Sequence, residues 1–202
     1  MKYIEYRGIE GLVAAKVTKD DTEGITYDEV RDIAGINELT KETASSSATH
    51  YYDNVPAIVI DSVGADTIKM NTSAVDLATY AWLTGQTYDE ATGVLIEGER
   101  EPGYFALGYR TQYTDGNDSL VWRLKGTFGI PGSTHKSKDD GTDANGQELT
   151  YTGINTTTKF TKTGKTAKGV TVETVKNLVD VTNFFATVQT PDTIKAKSNP
   201  TA

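Results

Sequence analysis

Residues Tyr104–Gly129 read YFALGYRTQYTDGNDSLVWRLKGTFG, and this pattern decides the fold class. Turn-forming residues at Asp115–Asp118 separate two runs in which apolar and polar side chains alternate, as in a β-hairpin with one buried face. The predicted apolar pairs are Tyr113–Leu120, Thr111–Trp122, Tyr109–Leu124, Leu107–Gly126 and Phe105–Phe128. A one-residue slip would reverse both faces, so the sequence predicts one long hairpin with a defined register.

The other face of this hairpin is predicted to be polar and basic. Its pairs are Gln112–Val121, Arg110–Arg123, Gly108–Lys125 and Ala106–Thr127. Like charges directly opposite each other destabilise a sheet unless an acid lies nearby. In a chain of net charge -8, that acid could come from a neighbouring copy. Arg110, Gln112, Arg123 and Lys125 are therefore candidate residues of an interface between subunits.

The composition favours one mainly β domain. A chain of 202 residues can bury roughly 70% of its unfolded surface in a single core. The 19 glycines, 11 tyrosines and threonine-rich runs favour strands and turns over long helices. We expect a β-sandwich or barrel of two packed antiparallel sheets over residues 1–202. The N-terminal segment, about 1–20, is predicted as an extended arm or a short edge strand, and the segment at about 189–202 as a flexible C-terminal tail or an arm that orders on a partner.

Two helices are predicted beside the sheets. Ser73 is typical of a helix N-cap and Gly85 of a helix end, which predicts a flanking helix over about 73–84. The spacing of Val175, Leu178 and Val179 predicts a C-terminal helix over about 173–187, with a strand as the alternative because the segment is rich in valine. The predicted core side chains are Leu77, Trp82, Phe105, Trp122, Leu124 and Phe128.

Several classes of function are disfavoured by what the sequence lacks. The chain has no cysteine, which excludes disulfides, thiolate zinc sites and a cysteine nucleophile. Its two histidines, His50 and His135, lie in polar segments without a partner motif, and no nucleophile elbow or zinc-binding helix motif occurs. We expect no enzyme activity, no cofactor and no metal site. The acidic charge opposes a grip on DNA. Without an export signal or a long apolar run, we expect folding in a cytoplasm.

Two further segments are candidate contacts with other copies. The small polar residues after Leu39, followed by Tyr51–Asn54, predict a loop over about 39–54. Its candidate contact residues are Lys41, Glu42, Ser46, His50, Tyr51 and Asp53. The lysine ribbon, residues 156–169, carries Lys159, Lys162, Lys165 and Lys168. These lysines form either a solvated ribbon or a strip complementary to an acidic surface on another copy. A long polar loop is also predicted over 131–146.

The order of these segments resembles that of the major tail protein, or tail tube protein, of bacteriophages with long non-contractile tails. The matching segments are Glu38–Thr43 leading to Tyr51–Asn54, the strand Ala106–Arg110 with its predicted partner strand Val121–Phe128, and Phe184–Phe185 followed by Pro191–Asp192. The likeness covers about Tyr3–Asp192. The chain departs from the pattern near Val94 and in the lysine ribbon.

The resemblance implies a structural virion protein. Six copies would close a ring by joining their inner strands, with Tyr104–Gly129 as the inner sheet, and the loop over 39–54 would reach the next ring. Stacked rings would form the tail tube, through which genomic DNA passes without sequence-specific binding, and an acidic bore offers DNA few sites to stick.

The partners implied by the resemblance are other copies of the chain and the tape measure, tail terminator and distal tail proteins, with no membrane insertion. The implied location is the virion tail, assembled in the cytoplasm of the bacterial host. The alternative is a carbohydrate-binding or adhesin-like β module, because tyrosine-rich strands can stack on sugars. That alternative predicts a monomer or small oligomer with saturable glycan binding.

Overall fold

A computed structural model describes residues 3–133, 135 and 146–197, and the chain it describes is mainly β. The elements are β1 (Tyr6–Asp20), β2 (Ile25–Tyr27), β3 (Arg31–Ala34), β4 (Ile36–Tyr52), β5 (Val55–Thr72), α1 (Leu77–Thr84), β6 (Thr87–Asp89), β7 (Val94–Ile96), β8 (Phe105–Tyr113), β9 (Asp118–Phe128), β10 (Gly132–Ser133), β11 (Gln147–Gly153), β12 (Gly169–Glu173) and a 3-10 helix (Thr174–Lys176). The predicted mainly β fold with a flanking helix is confirmed. No helix of the described residues is long and apolar enough to cross a membrane.

One large antiparallel sheet organises the fold. Its strands follow the order β2-β1-β8-β9-β11-β5-β4, with β3 beside β1 and β10 beside β11, while β6 and β7 form a separate small sheet. The sheet forks at β9, because residues 126–128 of this strand pair with β11 and residues 119–123 pair with β12. The fork lets the β11-β5-β4 half separate from the β12 half.

The central hairpin forms as predicted, but the predicted turn and register are wrong. The strands β8 and β9 are joined by the loop Thr114–Gly116, across which the Tyr113 N–H donates to the Asn117 carbonyl over 2.8 Å. Gly116 has a φ of +85°, which suits the last position of a three-residue hairpin loop. The observed pairs are Gln112–Asp118, Thr111–Ser119, Arg110–Leu120, Tyr109–Val121, Gly108–Trp122, Leu107–Arg123 and Phe105–Gly126.

Both faces of this hairpin are buried, so the predicted polar, basic face is also wrong. One face contributes to the first core cluster: Leu12, Ala14, Ile33, Ile68, Met70, Leu83, Phe105, Leu107, Tyr109, Val121, Phe128, Leu149 and Tyr151. The other contributes to the second core cluster: Val13, Ala15, Ala106, Leu120, Trp122, Leu124, Phe160, Val172, Phe184 and Val188. Four of the predicted core residues, Phe105, Trp122, Leu124 and Phe128, are buried, and Trp82 is half-buried. Leu77 is exposed, so its prediction as core is wrong.

The helix α1 is shorter than predicted because a different residue caps it. The Asp76 carboxylate accepts from the N–H of Thr79 over 2.9 Å, and Gly85 ends the helix in the left-handed conformation, as predicted. Ser73 does not cap the helix. Its hydroxyl instead accepts from the N–H of Gly35 over 3.1 Å, which ties the start of this segment to the sheet.

The predicted C-terminal helix over 173–187 is wrong. The segment continues from β12 through the 3-10 helix into turns, and Asn177 and Asn183 have positive φ angles of 48° and 60° that interrupt a helix. Phe184 and Val188 are buried in the second core cluster. The apolar spacing that suggested a helix therefore comes from a turn-rich segment that lies across the sheet.

Both chain ends differ from the predicted arm and tail. The strand β1 pairs with β8 along residues 6–16, and on its other side residues 12–14 pair with β3 and residues 17–20 with β2, so residues 6–20 form a long strand of the sheet. Near the C-terminus, Thr190 is buried and the Asp192 carboxylate accepts from the N–H groups of Thr161 and Lys162, each over 2.8 Å. Residues 189–197 thus pack on the domain. Residues 198–202 and most of the predicted loop over 131–146 lie outside the described residues.

Candidate assembly surface

The hairpin of β4 and β5 continues far past the rest of the sheet. Their residues 45–52 and 55–63 pair with each other, beyond the point at Asp66 where the pairing of β5 with β11 ends. We call residues 44–63 the arm. At about 3.3 Å per residue, its nine-residue strands are about 30 Å long. The predicted loop over 39–54 is therefore wrong, because these residues form most of a long strand and its turn.

Turn chemistry explains why this segment folds back on itself. Asp53 and Asn54 have φ angles of 51° and 64°, as a two-residue type I′ hairpin turn requires, and these residue types tolerate that conformation. The β-branched run from Val55 to Val63 then pairs with the small polar residues of β4. Local composition indicated a loop, whereas the pairing partner makes the segment a strand.

The arm exposes apolar side chains on both of its faces. Its exposed large side chains are Tyr51, Tyr52, Val55, Ile58, Val59, Ile60 and Val63, of which Val63 is 66% exposed and Ile58, the least, still 48%. Because successive residues of a strand point to opposite faces, Ile58 and Ile60 lie on one face and Val59 and Val63 on the other. Contiguous exposed apolar surface of this kind marks an interaction site.

The free edge of β4 adds a second feature of an interaction surface. In the described part of the chain β4 pairs with β5 alone, so one side of Ile36–Tyr52 presents unpaired backbone groups. A long exposed strand edge is a template for pairing with another chain. Apolar side chains and a free edge therefore coincide on the same hairpin.

A buried charge cluster fixes the base of the arm. The Asp66 carboxylate is almost fully buried and accepts from Lys168 Nζ over 3.0 Å and from the Thr43 hydroxyl over 2.9 Å. Arg123 Nη1 lies 3.6 Å from the same carboxylate, and Lys168 Nζ also donates to the Gly64 carbonyl. Burial by itself raises the pKa of Asp66, but the hydrogen bonds from Lys168 and Thr43 outweigh it and hold the pKa below its usual range.

The candidate interface residues of the central hairpin find acidic partners within the chain itself. Arg110 forms ion pairs with Glu10 and with Asp118, and Lys125 Nζ lies 2.6 Å from Asp20. Arg123 pairs with Asp66. Gln112 is exposed. The acid expected from a neighbouring copy is thus supplied internally, and Arg123 and Lys125 have only 16% and 12% of their side chains exposed.

The structure brings the candidate loop residues together but separates the four lysines. Lys41 and Glu42 are exposed at the base of the arm, and Ser46, His50, Tyr51 and Asp53 are exposed along it. In the lysine ribbon Lys159, Lys162 and Lys165 are exposed, whereas Lys168 turns inward to Asp66. His135 is exposed as well. The four lysines therefore do not form one continuous strip.

Sequence reasoning missed an open cavity of about 670 Å³ beside the base of the arm. Its lining includes the apolar side chains Ile9, Leu39, Tyr109 and Val121, where the first core cluster comes to the surface. The cations Arg7, Lys41 and Arg123 also line it, and Glu38 is the one acid among the lining residues that the structure describes. These residues come from four strands distant in sequence, so no local pattern could have indicated the cavity.

The described residues contain no group of three or more histidine, aspartate or glutamate side chains placed to hold a metal ion. Their distinguishing features are instead the arm, the free edge of β4 and the cationic cavity. No protein-family model matches the chain, and no curated protein matches its sequence.

Proposed function

We propose that this chain is a structural subunit that self-assembles into stacked hexameric rings, forming a phage tail tube that conducts DNA. The observation that carries the proposal is the arm, residues 44–63, which exposes apolar side chains on both faces. A two-stranded hairpin is only marginally stable in water by itself. An arm of this length and composition is therefore best accounted for by a partner surface that covers it.

The energetics of the arm favour a repeated contact. Burying an aliphatic side chain contributes about 1.5–3 kcal/mol, and the five aliphatic residues of the arm are each about half exposed or more. Their combined burial is of order 5 kcal/mol, which is close to what association of two copies costs. Association through one such contact is therefore weak. It becomes strong when each copy makes two of these contacts, one through its own arm and one with the arm of a neighbouring copy.

The charge distribution suits a conduit for DNA. The chain has 28 acidic and 20 basic residues. Arg110, Arg123, Lys125 and Lys168 are neutralised by carboxylates of the same chain. The remaining cations are outnumbered in a chain of net charge -8, and non-specific DNA affinity depends on an excess of cations at the surface. The ring and the tube themselves rest on the resemblance to tail tube proteins.

The test is negative-stain electron microscopy and sedimentation velocity of the concentrated protein. We expect hollow tubes or six-membered rings. A variant that joins Thr43 to Gly64 through Asn-Gly should keep the unfolding midpoint and lose assembly, because only the arm is removed. Ile60→Asp should weaken assembly, whereas Ser62→Asp, on the same face of the same strand, should have a much smaller effect.

Two outcomes would contradict the proposal. A wild-type protein that stays monomeric at high concentration would refute self-assembly, and tubes formed by the armless variant would refute the role of the arm. The exposed pair Tyr51 and Tyr52 also suits stacking on a sugar ring. Saturable glycan binding by a monomer, lost in Tyr51→Ala, would favour the carbohydrate-binding alternative.

A further inference from the structure

We propose that the tip of the arm, residues 50–55, docks into the cationic cavity of a second copy of this chain. The inference rests on the proposed self-assembly and names the surface that receives the arm. The tip carries two tyrosines and Asp53, and the cavity combines an apolar floor with a basic rim. The tip and the cavity are therefore complementary in charge, and each also offers apolar surface to the other.

The apolar floor of the cavity lies directly over the protein core. Tyr109 and Val121 are almost fully buried members of the first core cluster, and the half-buried Ile9 and Leu39 pack against that cluster. Within the described ranges no further element covers this floor. At about 670 Å³, the cavity has the size of sites that enclose a small organic molecule, so it can take a tyrosine ring.

The rim of the cavity is basic in an otherwise acidic protein. Arg7 and Lys41 are exposed and form no ion pair with a described carboxylate. Arg123 is partly satisfied by Asp66, but its Nε atom is buried without a hydrogen-bond partner among the described residues. The one acid, Glu38, accepts from the Asn71 amide over 2.8 Å and is directed to that group. An incoming carboxylate would therefore meet surplus positive charge.

The tip is a suitable anchor for such a cavity. Tyr51 and Tyr52 are each more than 60% exposed, and Asp53 sits in the turn at a positive φ that fixes its backbone. Tyrosine and arginine are the residue types most often found at the energetic centre of an interface. A tyrosine on the apolar floor would place the neighbouring carboxylate near Arg7 or Lys41.

The occupant must be a second copy, because the arm cannot reach its own cavity. Lys41 lines the cavity and lies on the same strand as Tyr52, eleven residues away. A strand of that length spans about 35 Å, and the arm is paired along it without a hinge loop. The tip and the cavity are different surfaces, so the contact is head-to-tail and adds copies without limit or closes a ring.

Cross-linking tests the contact, because the chain has no native cysteine. Asp53→Cys and Arg7→Cys are prepared as single variants, mixed, and treated with a short bis-maleimide. We expect a covalent dimer from the mixture and a ladder of species from the double variant. As a control, Asp53→Cys is mixed with Glu90→Cys, an exposed position in the turn between β6 and β7. Equal cross-linking to Glu90→Cys would overturn the inference.

Charge exchange provides the second test. Arg7→Glu and Asp53→Lys should each raise the concentration at which assembly begins by about tenfold, and combining them should restore assembly. Arg7→Glu combined with Asp61→Lys, a change on the arm away from its tip, should not. Failure of the first pair to restore assembly would overturn the proposed contact between tip and cavity.

The outcomes separate this inference from the proposed function. Rings or tubes that show no link between positions 53 and 7 would overturn the docking of the tip and leave the tube intact. Linked chains without hollow tubes would support the docking and refute the tube. A protein that remains monomeric and unlinked at high concentration would refute both.

Discussion

Substitution of Asp20 by Asn tests the buried ion pair that ties the end of β1 to the segment after β11. The carboxylate has 4% of its side chain exposed and accepts from Lys125 Nζ over 2.6 Å. It also accepts from the N–H groups of Thr157 and Thr158 over 2.8 and 3.0 Å and from the Thr158 hydroxyl over 3.0 Å. Burial alone raises the pKa of Asp20, but these hydrogen bonds outweigh it and lower the pKa to about 2.

The lowered pKa gives the expected magnitude. The ordinary value is 3.8, and each pH unit of difference corresponds to about 1.4 kcal/mol, so the ionised carboxylate contributes roughly 2 kcal/mol. Asp20→Asn also leaves the ammonium of Lys125 without its counter-ion in a site that is only 12% exposed. We therefore expect a loss of about 2–4 kcal/mol in the free energy of unfolding at about pH 7.

The lowered pKa of Asp20 also sets the direction in which stability changes with pH. Because the folded pKa lies below the unfolded one, the contribution is complete above about pH 5 and is lost as the pH falls toward 2. Urea unfolding of wild type and variant at several pH values should show a difference that shrinks on acidification. The control is Asp21→Asn, whose exposed ion pair with Lys19 should matter little. Equal effects of the two substitutions, or a difference independent of pH, would refute the reasoning.

Three further pairs of substitutions, each a variant with its control, test the fold by denaturant or thermal unfolding. Trp122→Ala should lower the free energy of unfolding by about 3–5 kcal/mol, because Trp122 is fully buried and its Nε1 donates to the Phe184 carbonyl. The control Leu77→Ala should lower it little, because Leu77 is exposed. Similar losses in the two variants would contradict the assignment of the core. Gly85→Ala should lower stability by about 1–3 kcal/mol, because φ is +74° and a Cβ would collide with the Glu101 carbonyl; Gly98→Ala, in open space, is the control. Lys168→Ala should lower the free energy of unfolding by about 2 kcal/mol, because the buried Asp66 carboxylate loses a hydrogen-bond donor. The control Lys165→Ala should leave it unchanged; an equal loss would contradict the anchoring of the arm by Lys168.

Local chemistry was enough to predict some parts of this fold. Gly85 marks the end of α1 because a left-handed residue is needed there. The alternation around Trp122 and Phe128 correctly indicated strands, since these side chains are large and apolar enough to require burial. Features that depend on one residue or one strand were therefore accessible from the sequence.

Other parts depended on partners distant in the chain. The hairpin register is set by Gly116 and by cores on both faces. The alternation predicted a polar, exposed face because it could not show that Arg123 and Lys125 are buried against Asp66 and Asp20. The small polar residues of β4 resembled a loop until β5 was placed beside them. The spacing of Val175, Leu178 and Val179 matched a helix, although Asn177 and Asn183 allow a turn-rich path instead.

The candidate surface was only half accessible to sequence reasoning. Ser46, His50, Tyr51 and Asp53 of the arm were predicted as candidate contacts within a loop, whereas the second strand of the arm was not predicted as a contact. The cavity was missed, because Arg7, Leu39 and Arg123 meet only after three strands have folded together. The internal carboxylates that neutralise Arg110 and Lys125 could not be inferred, since Glu10 and Asp20 lie in a segment whose strand pattern was weak.

The charge cluster at Asp66 fixes one end of the arm, so the arm behaves as a lever held rigidly at its base. Arg123 of β9, Thr43 of β4 and Lys168 of the lysine ribbon all bind the Asp66 carboxylate at the base. A force on the arm would act at its tip, about 30 Å away. Because this carboxylate is almost fully buried, dissolved salt screens it far less than it screens surface charges. The stiffness of the lever should therefore stay nearly constant as ionic strength changes, even where contacts made by its exposed tip weaken.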